Sequence, residues 1–231
     1  MALGMVVFLE DAWANGAVIR LACLLIGYGF GLFQTAHMMG KMMNIDARKH
    51  GSGNLGTTNA FRVLGKRAGF VVFLADVLKA VAAFLLCAVV FGGGSGFSPG
   101  AGEGFPLNVL PGLYAGLGVI LGHNFPFFLR FKGGKGIACT LGVMLVLDWR
   151  AALPVYVVGA VLLFGIRYVS LMSLVMVALF PLSLLFWGHG PEAIVLSVLM
   201  AGMAFWLHRG NIARLCNGTE RKAFSKKSKE K

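Results

Sequence analysis

The stretch that decides the fold runs from Ala68 to Phe91 and reads AGFVVFLADVLKAVAAFLLCAVVF. It is long enough for a transmembrane helix, because about 20 apolar residues cross a hydrocarbon core about 30 Å thick. Asp76 and Lys79 are its charged residues, spaced so that they lie on one face of a helix. Ionisable residues inside a membrane are candidates for function. Because these two can neutralise each other, we interpret them as a structural pair.

Similar stretches recur along the chain. Of its 231 residues 58% are hydrophobic and 13% are charged, whereas a soluble domain has about 25% charged residues. The uncharged stretches are 21–40, 80–102, 104–129 and 168–191, with shorter ones at 136–147, 151–166 and 193–208. They predict an all-α integral membrane protein with about seven transmembrane helices. The two short stretches 136–149 and 151–166 are alternatively re-entrant or tilted elements, which leaves five spans.

The charges predict the orientation. The net charge is +12, from 21 Lys and Arg against 9 Asp and Glu. Alternating spans place most cations on one side: Lys41, Arg48, Lys49, Arg62, Lys66, Arg67, Arg130, Lys132, Lys135, Arg167 and the tail from Arg209. The other side has Glu10, Asp11, Glu103, Asp148 and Glu192, with Arg20 and Arg150. The positive-inside rule therefore predicts an outside N-terminus and a cytoplasmic C-terminus.

The same numbers bear on partners and domains. The apolar excess argues against a nucleic-acid partner despite the basic charge, and membrane lipids are the expected surroundings. We expect one membrane domain over residues 1–222 and a basic cytoplasmic tail over 223–231. No convincing internal repeat is present, whereas many transporters are built from repeated halves.

The first cytoplasmic loop has the sequence GSGNLGTTN from Gly51 to Asn59, followed by Arg62. Glycines permit tight turns whose consecutive amides form anion-binding nests. The guanidinium of Arg62 can hold a phosphate with two hydrogen bonds. The loop matches neither a Walker A loop nor a dinucleotide-binding fingerprint. It is either a flexible turn or, as we favour, a phosphate site.

The second cytoplasmic loop has the sequence FKGGKG from Phe131 to Gly136. Lys132 and Lys135 flank Gly133 and Gly134 immediately before an apolar helix. Membrane anchoring explains the lysines but does not require the glycines. Cations and backbone amides at a helix start instead indicate a site for an anion.

Two further polar pairs lie on the same predicted side. Ser170 and Ser173, and likewise His208 and Asn211, are three residues apart and would share a helical face, the second pair only if its helix continues. Each pair is weak evidence by itself, but four stretches on one side together favour phosphate chemistry. No His, Cys or carboxylate cluster requires a metal, so no metal ligand and no cofactor is assigned, and the sequence does not decide metal dependence.

Three motifs, in this order and spacing, make the chain recognisable: GSGNLGTTNAFRVLGKRAG with the following DVLK, GHNFPFFLRFKGGKG, and RYVSLMS. HRGNIARL and a nearby GTE agree with them. From about residue 20 to about residue 222 the chain resembles the bacterial acyl-phosphate-dependent glycerol-3-phosphate acyltransferases. It departs from their pattern at Thr57, Met172 and Gly210.

The resemblance implies a seven-helix enzyme of the bacterial cytoplasmic (inner) membrane with its active site in cytoplasm-facing loops. Such an enzyme transfers a fatty acyl group from acyl phosphate to the sn-1 hydroxyl of glycerol 3-phosphate, giving lysophosphatidic acid and phosphate, the first acylation of phospholipid synthesis. Carried over by motif position, the catalytic residues are Ser52, Lys135, Ser173 and His208. The substrate-binding residues are Asn54, Thr58, Arg62, Lys132, Gly133, Gly134 and Asn211.

The residue types suit these roles. We expect Arg62 to hold the phosphate of glycerol 3-phosphate, with help from His208 and Asn211. Lys135 and the amides of residues 133–136 would bind acyl phosphate and stabilise the charge that develops at its carbonyl and departing phosphate. Acyl phosphate is a mixed anhydride with a good leaving group, so strong activation of the attacking hydroxyl is less necessary.

The base that accepts the hydroxyl proton is not obvious. The chain lacks the HxxxxD pair of acyl-CoA-dependent acyltransferases. The phosphate of glycerol 3-phosphate and the imidazole of His208 are the two candidates.

Two functions of other classes compete with the enzyme. A transporter for a phosphorylated metabolite or anion should have polar residues at mid-membrane depth in several spans, whereas only Asp76 and Lys79 are expected at depth here. A structural membrane subunit with a lipid-binding tail would explain the C-terminal lysines but not the Gly51–Asn59 loop.

Overall fold

The computed structural model describes residues 16–92 and 109–223, and every regular element in these two ranges is a helix. The prediction of an all-α protein is confirmed for this part of the chain. The helices are α1 Gly16–Gly31, α2 Thr35–Met42, α3 Thr57–Val63, α4 Lys66–Phe91, α5 Leu110–Asn124, α6 Ile137–Leu147, α7 Trp149–Gly165, α8 Val169–Phe186, α9 Pro191–Leu207 and α10 Arg209–Cys216, with a 3₁₀ turn at Phe127–Leu129.

Within residues 16–92 and 109–223, four helical segments are long and apolar enough to cross a membrane: Gly16–Met42, Lys66–Phe91, Leu110–Leu129 and Val169–Phe186. A fifth is obtained if α9 and α10, which meet at an angle of 61°, count as one broken span. α6 and α7 are apolar but shorter. The chain is therefore a multi-pass membrane protein, with four or five spans by length and composition in its described part. The expected number of seven stays a prediction.

Close packing of small residues brings α1 against α5. A Cβ added to Gly27 of α1 would lie 2.0 Å from the Ala115 carbonyl oxygen, and one added to Gly118 of α5 would lie 2.1 Å from the Leu24 oxygen. Glycines at such positions let two helix backbones approach, which is a common way of packing helices in membranes. α5 also contacts α4, α6 and α9, and most of its residues are buried, so α5 lies inside the bundle.

The charged pair in α4 is buried. Lys79 Nζ lies 2.7 Å from Asp76 Oδ1, and the two side chains are 5% and 2% exposed. Asp76, His123 and Cys139 also present potential metal-ligand atoms within 4.8 Å of one another. The Lys79 ammonium lies between Asp76 and His123, 3.0 Å from His123 Nδ1, and supplies the positive charge there. These contacts agree with the interpretation of Asp76 and Lys79 as a structural pair.

Two sets of ion pairs join the helices at the opposite end from α2, α3 and α10. Arg20 donates two hydrogen bonds to Glu192, at 2.6 and 2.8 Å, and Tyr114 donates a third at 2.7 Å. Asp148, fully buried, accepts from the Arg150 side chain at 3.0 and 2.9 Å and lies 3.0 Å from His189 Nε2. Glu10, Asp11 and Glu103, and the predicted basic tail beyond residue 223, lie outside the described residues.

Candidate active site

The first loop is held in shape by one buried amide, that of Asn59. Its Oδ1 accepts from the Ser52 backbone N–H at 2.8 Å, and its Nδ2 donates to the carbonyl oxygens of Ala47 and His50 at 2.9 and 3.2 Å. Gly51 has a φ of +65°, a conformation that side chains rarely adopt. The glycine-rich stretch is therefore an ordered turn rather than a flexible one.

The second loop turns back on the end of α5. Arg130 and Phe131 have φ values of 55° and 59°, which reverses the chain. The amide of Gly133 then donates to the Asn124 oxygen at 3.1 Å, and that of Gly134 donates to the His123 oxygen at 3.0 Å. Both amides are thus used within the protein here, and the binding of an anion by Gly133 and Gly134 stays a prediction.

Asn54 joins the two loops. Its Nδ2 donates to the Gly133 carbonyl oxygen at 3.3 Å, and its Oδ1 accepts from the Gly56 backbone N–H at 2.9 Å. The backbone N–H of Leu55 also points to the Gly133 oxygen, at 3.5 Å. Both ends of the Asn54 amide are thus used within the protein, so its contact with substrate stays a prediction.

Lys135 lies at the centre of the site, and a chain of hydrogen bonds extends from it. Its Nζ donates to Asn211 Oδ1. Asn211 Nδ2 donates to Glu220 Oε1 at 2.8 Å, and the same carboxylate accepts from Ser170 Oγ at 2.9 Å and from Arg214 Nε at 2.7 Å. Four separate parts of the chain, two of the motifs among them, therefore meet at one place.

Positive charge dominates the electrostatics of this place. Burial lowers the pKa of Lys135 to about 8; the charges of Arg214 and Arg62 also lower it, whereas Glu220 raises it. Burial and the neighbouring Arg221 lower the pKa of Arg62. Burial alone would raise the pKa of Glu220, but its hydrogen bonds with Asn211, Arg214 and Ser170 outweigh that effect and hold the pKa below its usual range. An anion entering here would meet several cations and one carboxylate.

The remaining predicted catalytic residues differ in what holds them. His208 lies between α9 and α10, and because the chain bends there the helix does not continue through it. Its Nδ1 lies 2.8 Å from the Ala204 carbonyl oxygen, so Nδ1 carries the proton and Nε2 is the acceptor of the neutral ring. Ser173 is buried and donates to the Val169 oxygen at 2.8 Å, whereas the Ser52 side chain is exposed.

Three of the predicted binding residues make no side-chain hydrogen bond with any other residue in the ranges 16–92 and 109–223. Arg62 and Thr58 are half-buried on α3, and Lys132 is exposed after the chain reversal. Arg62 therefore has its full donor capacity available for a ligand, five N–H groups in a planar fork.

Four residues that shape the site are not among the predicted catalytic and binding residues: Asn59, Ser170, Arg214 and Glu220. Glu220 belongs to the GTE that follows HRGNIARL, and Ser170 shares the RYVSLMS motif with Ser173. The motifs thus contained the signal for both, but not the information that they contact each other.

The family model for glycerol-3-phosphate acyltransferases matches residues 21–218. The chain belongs to this family. A glycerol-3-phosphate acyltransferase of Alkaliphilus metalliredigens is 38% identical over 212 residues, which cover 91% of this chain and 100% of that protein. A glycerol-3-phosphate acyltransferase 2 of Bacillus cereus is 42% identical over 207 residues, which cover 89% and 96%.

Solved structures agree with this family assignment. The crystal structure of PlsY (YgiH), an integral membrane glycerol 3-phosphate acyltransferase, in its glycerol 3-phosphate form, superposes with a TM-score of 0.77 at 32% identity. The aligned region covers 88% of this chain and 94% of PlsY. The lysophosphatidic acid form of PlsY gives a TM-score of 0.73.

Proposed function

We propose that this glycerol-3-phosphate acyltransferase uses acyl phosphate as its donor and acylates the sn-1 hydroxyl, releasing lysophosphatidic acid and phosphate. The observation that carries the proposal is the meeting of the family's motifs at Lys135, Asn211 and Glu220. PlsY was crystallised in a glycerol 3-phosphate form and in a lysophosphatidic acid form. These two molecules are a substrate and a product of such a reaction.

Arg62 is the proposed ligand for the phosphate of glycerol 3-phosphate. It is half-buried, its donors have no partner among the described residues, and Arg214 and Arg221 add positive charge nearby. A planar guanidinium binds two phosphate oxygens at once. Thr58 lies one turn earlier on α3 and supplies a hydroxyl near the same phosphate.

Lys135 and the start of α6 are the proposed site for acyl phosphate. Gly136 precedes α6 in a left-handed conformation, with a φ of 75°, which directs the chain into the helix immediately after Lys135. The first amides of a helix have no partner within it and attract anions. They follow the Gly133 and Gly134 amides in sequence, and the exposed Lys132 adds a cation.

The reaction needs few groups from the protein. The sn-1 oxygen attacks the acyl carbonyl carbon, the bond from that carbon to the phosphate oxygen breaks, and phosphate leaves with the electron pair. Lys135 is placed to stabilise the negative charge on the carbonyl oxygen and the leaving phosphate. Ser52 and Ser173 are proposed to position the substrates.

The hydroxyl proton goes either to the phosphate of glycerol 3-phosphate or to His208 Nε2. The contact between His208 Nδ1 and the Ala204 oxygen leaves Nε2 able to accept a proton. If His208→Gln keeps near-normal turnover at saturating substrate, the base role of His208 is excluded and the substrate phosphate remains.

We also propose the membrane arrangement. In this arrangement seven segments would cross the membrane in alternating directions: Gly16–Met42, α4, α5, α6, α7, α8 and α9. The excess of cations near the site predicts, by the positive-inside rule, that this end faces the cytoplasm. The protein would then be a single domain over 1–222 in the bacterial cytoplasmic (inner) membrane, with membrane lipids around it and the tail 223–231 in the cytoplasm.

The donor is tested with the purified protein in detergent. Glycerol 3-phosphate is supplied with acyl phosphate or with acyl-CoA, and phosphate and lysophosphatidic acid are both measured. We expect both products in equal amounts with acyl phosphate and neither with acyl-CoA. Absence of lysophosphatidic acid with acyl phosphate contradicts the proposal. Arg67→Ala should give the same products as the wild type, because Arg67 is an exposed cation outside the site.

A further inference from the structure

A buried polar cluster lies directly beneath the second loop. Lys79 Nζ lies 2.7 Å from Asp76 Oδ1 and 3.0 Å from His123 Nδ1, and it donates to the Phe33 carbonyl oxygen at 2.8 Å. Asp76 Oδ1, which also lies 3.5 Å from His123 Nδ1, pairs with Lys79 by charge without a hydrogen bond. An ammonium group has N–H donors but no acceptor. His123 Nδ1 must then accept, which places the proton of the neutral ring on Nε2.

The Nε2 edge of His123 faces Gly134. A Cβ added to Gly134 would lie 1.9 Å from His123 Nε2, closer than any real contact. The backbone of the same histidine also holds the loop, because the His123 oxygen accepts from the Gly134 amide at 3.0 Å. The Nε2 edge of the imidazole therefore abuts Gly134, one residue before Lys135.

The other end of this contact is also fixed. Gln34, buried between α1 and α2, donates from Nε2 to the His123 oxygen at 3.1 Å and to the Gly122 oxygen at 3.3 Å. His123 itself is 3% exposed. The ring has little freedom to move, because its backbone is bonded to Gln34 and Gly134 and its Nδ1 to Lys79.

We propose that His123 is a positioning residue for acyl transfer: its imidazole, held by the Asp76–Lys79 pair, supports Gly134 and so sets where the Lys135 ammonium lies relative to Asn211. This inference deepens the proposed function and rests on the assignment of Lys135 to acyl phosphate. It gives the buried charges of α4 a task in the reaction, although they do not contact substrate. It also explains why position 134 has no side chain.

Two glycine substitutions, each made with and without the ring, test the contact. Gly134→Ala places a methyl group against the Nε2 edge of the ring and should displace the neighbouring Lys135. A displacement of about 1 Å at a reacting group costs about 100-fold in rate, so kcat/KM for acyl phosphate should fall by about that factor. His123→Ala alone lowers kcat/KM by about 10-fold or more, because the loop loses its support. In the His123→Ala background, Gly134→Ala adds less than about 3-fold, because contacting residues are not additive.

Gly133→Ala is the matched control. Its Cβ would lie 2.0 Å from the His123 carbonyl oxygen, an atom that stays when the ring is removed. Gly133→Ala is therefore expected to lower kcat/KM equally in both backgrounds. If Gly134→Ala is as harmful without the ring as with it, the proposal is overturned.

The division between substrates separates positioning from a loss of folding. The ring variants should affect kcat and the KM for acyl phosphate, with the KM for glycerol 3-phosphate and the thermal unfolding temperature nearly unchanged. If both KM values and the unfolding temperature change together, the role of His123 is structural only.

A second readout does not depend on the donor. Labelling of Lys135 by an amine reagent, followed by mass spectrometry over a pH series, should have its midpoint near the pKa of about 8 in the wild type. The charged and titratable groups around that amine are Arg62, Arg214, Glu220 and His208. His123→Ala should move the midpoint upward, because Lys135 becomes more exposed to solvent. An unchanged midpoint overturns the proposal even if acyl phosphate proves not to be the donor.

Discussion

The two ends of the helix bundle use similar charged residues in opposite ways. At the end away from the proposed site, Arg20 is paired with Glu192 through two hydrogen bonds, and Arg150 with Asp148 in the same manner. Each of these cations has an acid of its own, and each pair joins elements that are separate in sequence or caps a helix start. Charge at this end fixes the helices.

At the other end the cations outnumber their partners. Glu220 accepts a hydrogen bond from Arg214 and is linked to Lys135 through Asn211. Arg62 has no hydrogen-bond partner within the described ranges. The positive charge left over is what a phosphate would neutralise. The comparison shows that the number of acids beside a cation, rather than the number of cations, distinguishes the proposed site from the structural ion pairs at the opposite end.

The largest expected effect is at Lys135. Lys135→Met should lower kcat by about 1,000-fold, because a group that stabilises developing charge in a shielded site contributes about that much. The unfolding temperature should not fall, since removal of a partly buried charge relieves its desolvation. Steady-state kinetics with acyl phosphate and a thermal melt check this. If the unfolding temperature falls together with kcat, Lys135 stabilises the fold, as the ion pairs at the opposite end do.

At the opposite end, Arg20→Met should have the reverse effect. Loss of a partly exposed, bidentate pair costs about 1 kcal/mol of the free energy of unfolding, because Glu192 loses its cation and keeps only the hydrogen bond from Tyr114. Turnover of the folded protein should stay within about 2-fold, since such a surface change leaves the site untouched. A large fall in turnover at an unchanged unfolding temperature would break the distinction between the two ends.

The pH dependence gives a smaller, signed effect. The Lys135 amine must be charged to stabilise anionic groups, so activity should be lost as the pH rises through its pKa of about 8. Glu220 raises that pKa and Arg214 lowers it. Glu220→Gln should therefore move the basic limb of the pH–rate profile to lower pH, and Arg214→Gln should move it to higher pH. Shifts in the same direction for both variants would exclude Lys135 as the titrating group.

The smallest effect is expected at an exposed pair beside the first loop. Arg48 donates to Asp46 at 3.0 and 3.1 Å, but both side chains are exposed to solvent, where such pairs contribute little. Arg48→Gln should change neither turnover nor the unfolding temperature measurably. A clear loss of either would mean that cations near the first loop act at the site without regard to their pairing.

Much of the fold follows from local patterns. The charge-poor stretch at 68–91 predicts α4 because length and hydropathy alone suffice for a membrane helix. The convergence of the loops was also predictable, because alternating spans bring the same side together. The number of spans was not, since α6 and α7 are too short to be decided by length.

The hydrogen-bond partners within the site could not be predicted from the sequence, because they depend on how distant parts of the chain fold together. Whether the Gly133 and Gly134 amides are available for an anion depends on the carbonyl groups at the end of α5, which lie nine or more residues earlier. In the same way, Glu220 joins Ser170 to Asn211 only because residues 208–223 fold back beside the start of α8. Sequence spacing gives the residue types of such a network but not which donor meets which acceptor.

Titration calorimetry of glycerol 3-phosphate into the purified protein tests the central claim most directly, namely that the uncompensated cations form the substrate site. The wild type and Arg20→Met should bind with equal affinity, and Arg62→Ala should bind at least about 10-fold more weakly, because it removes a charge-assisted bidentate contact. Equal binding by Arg62→Ala and the wild type would contradict the account.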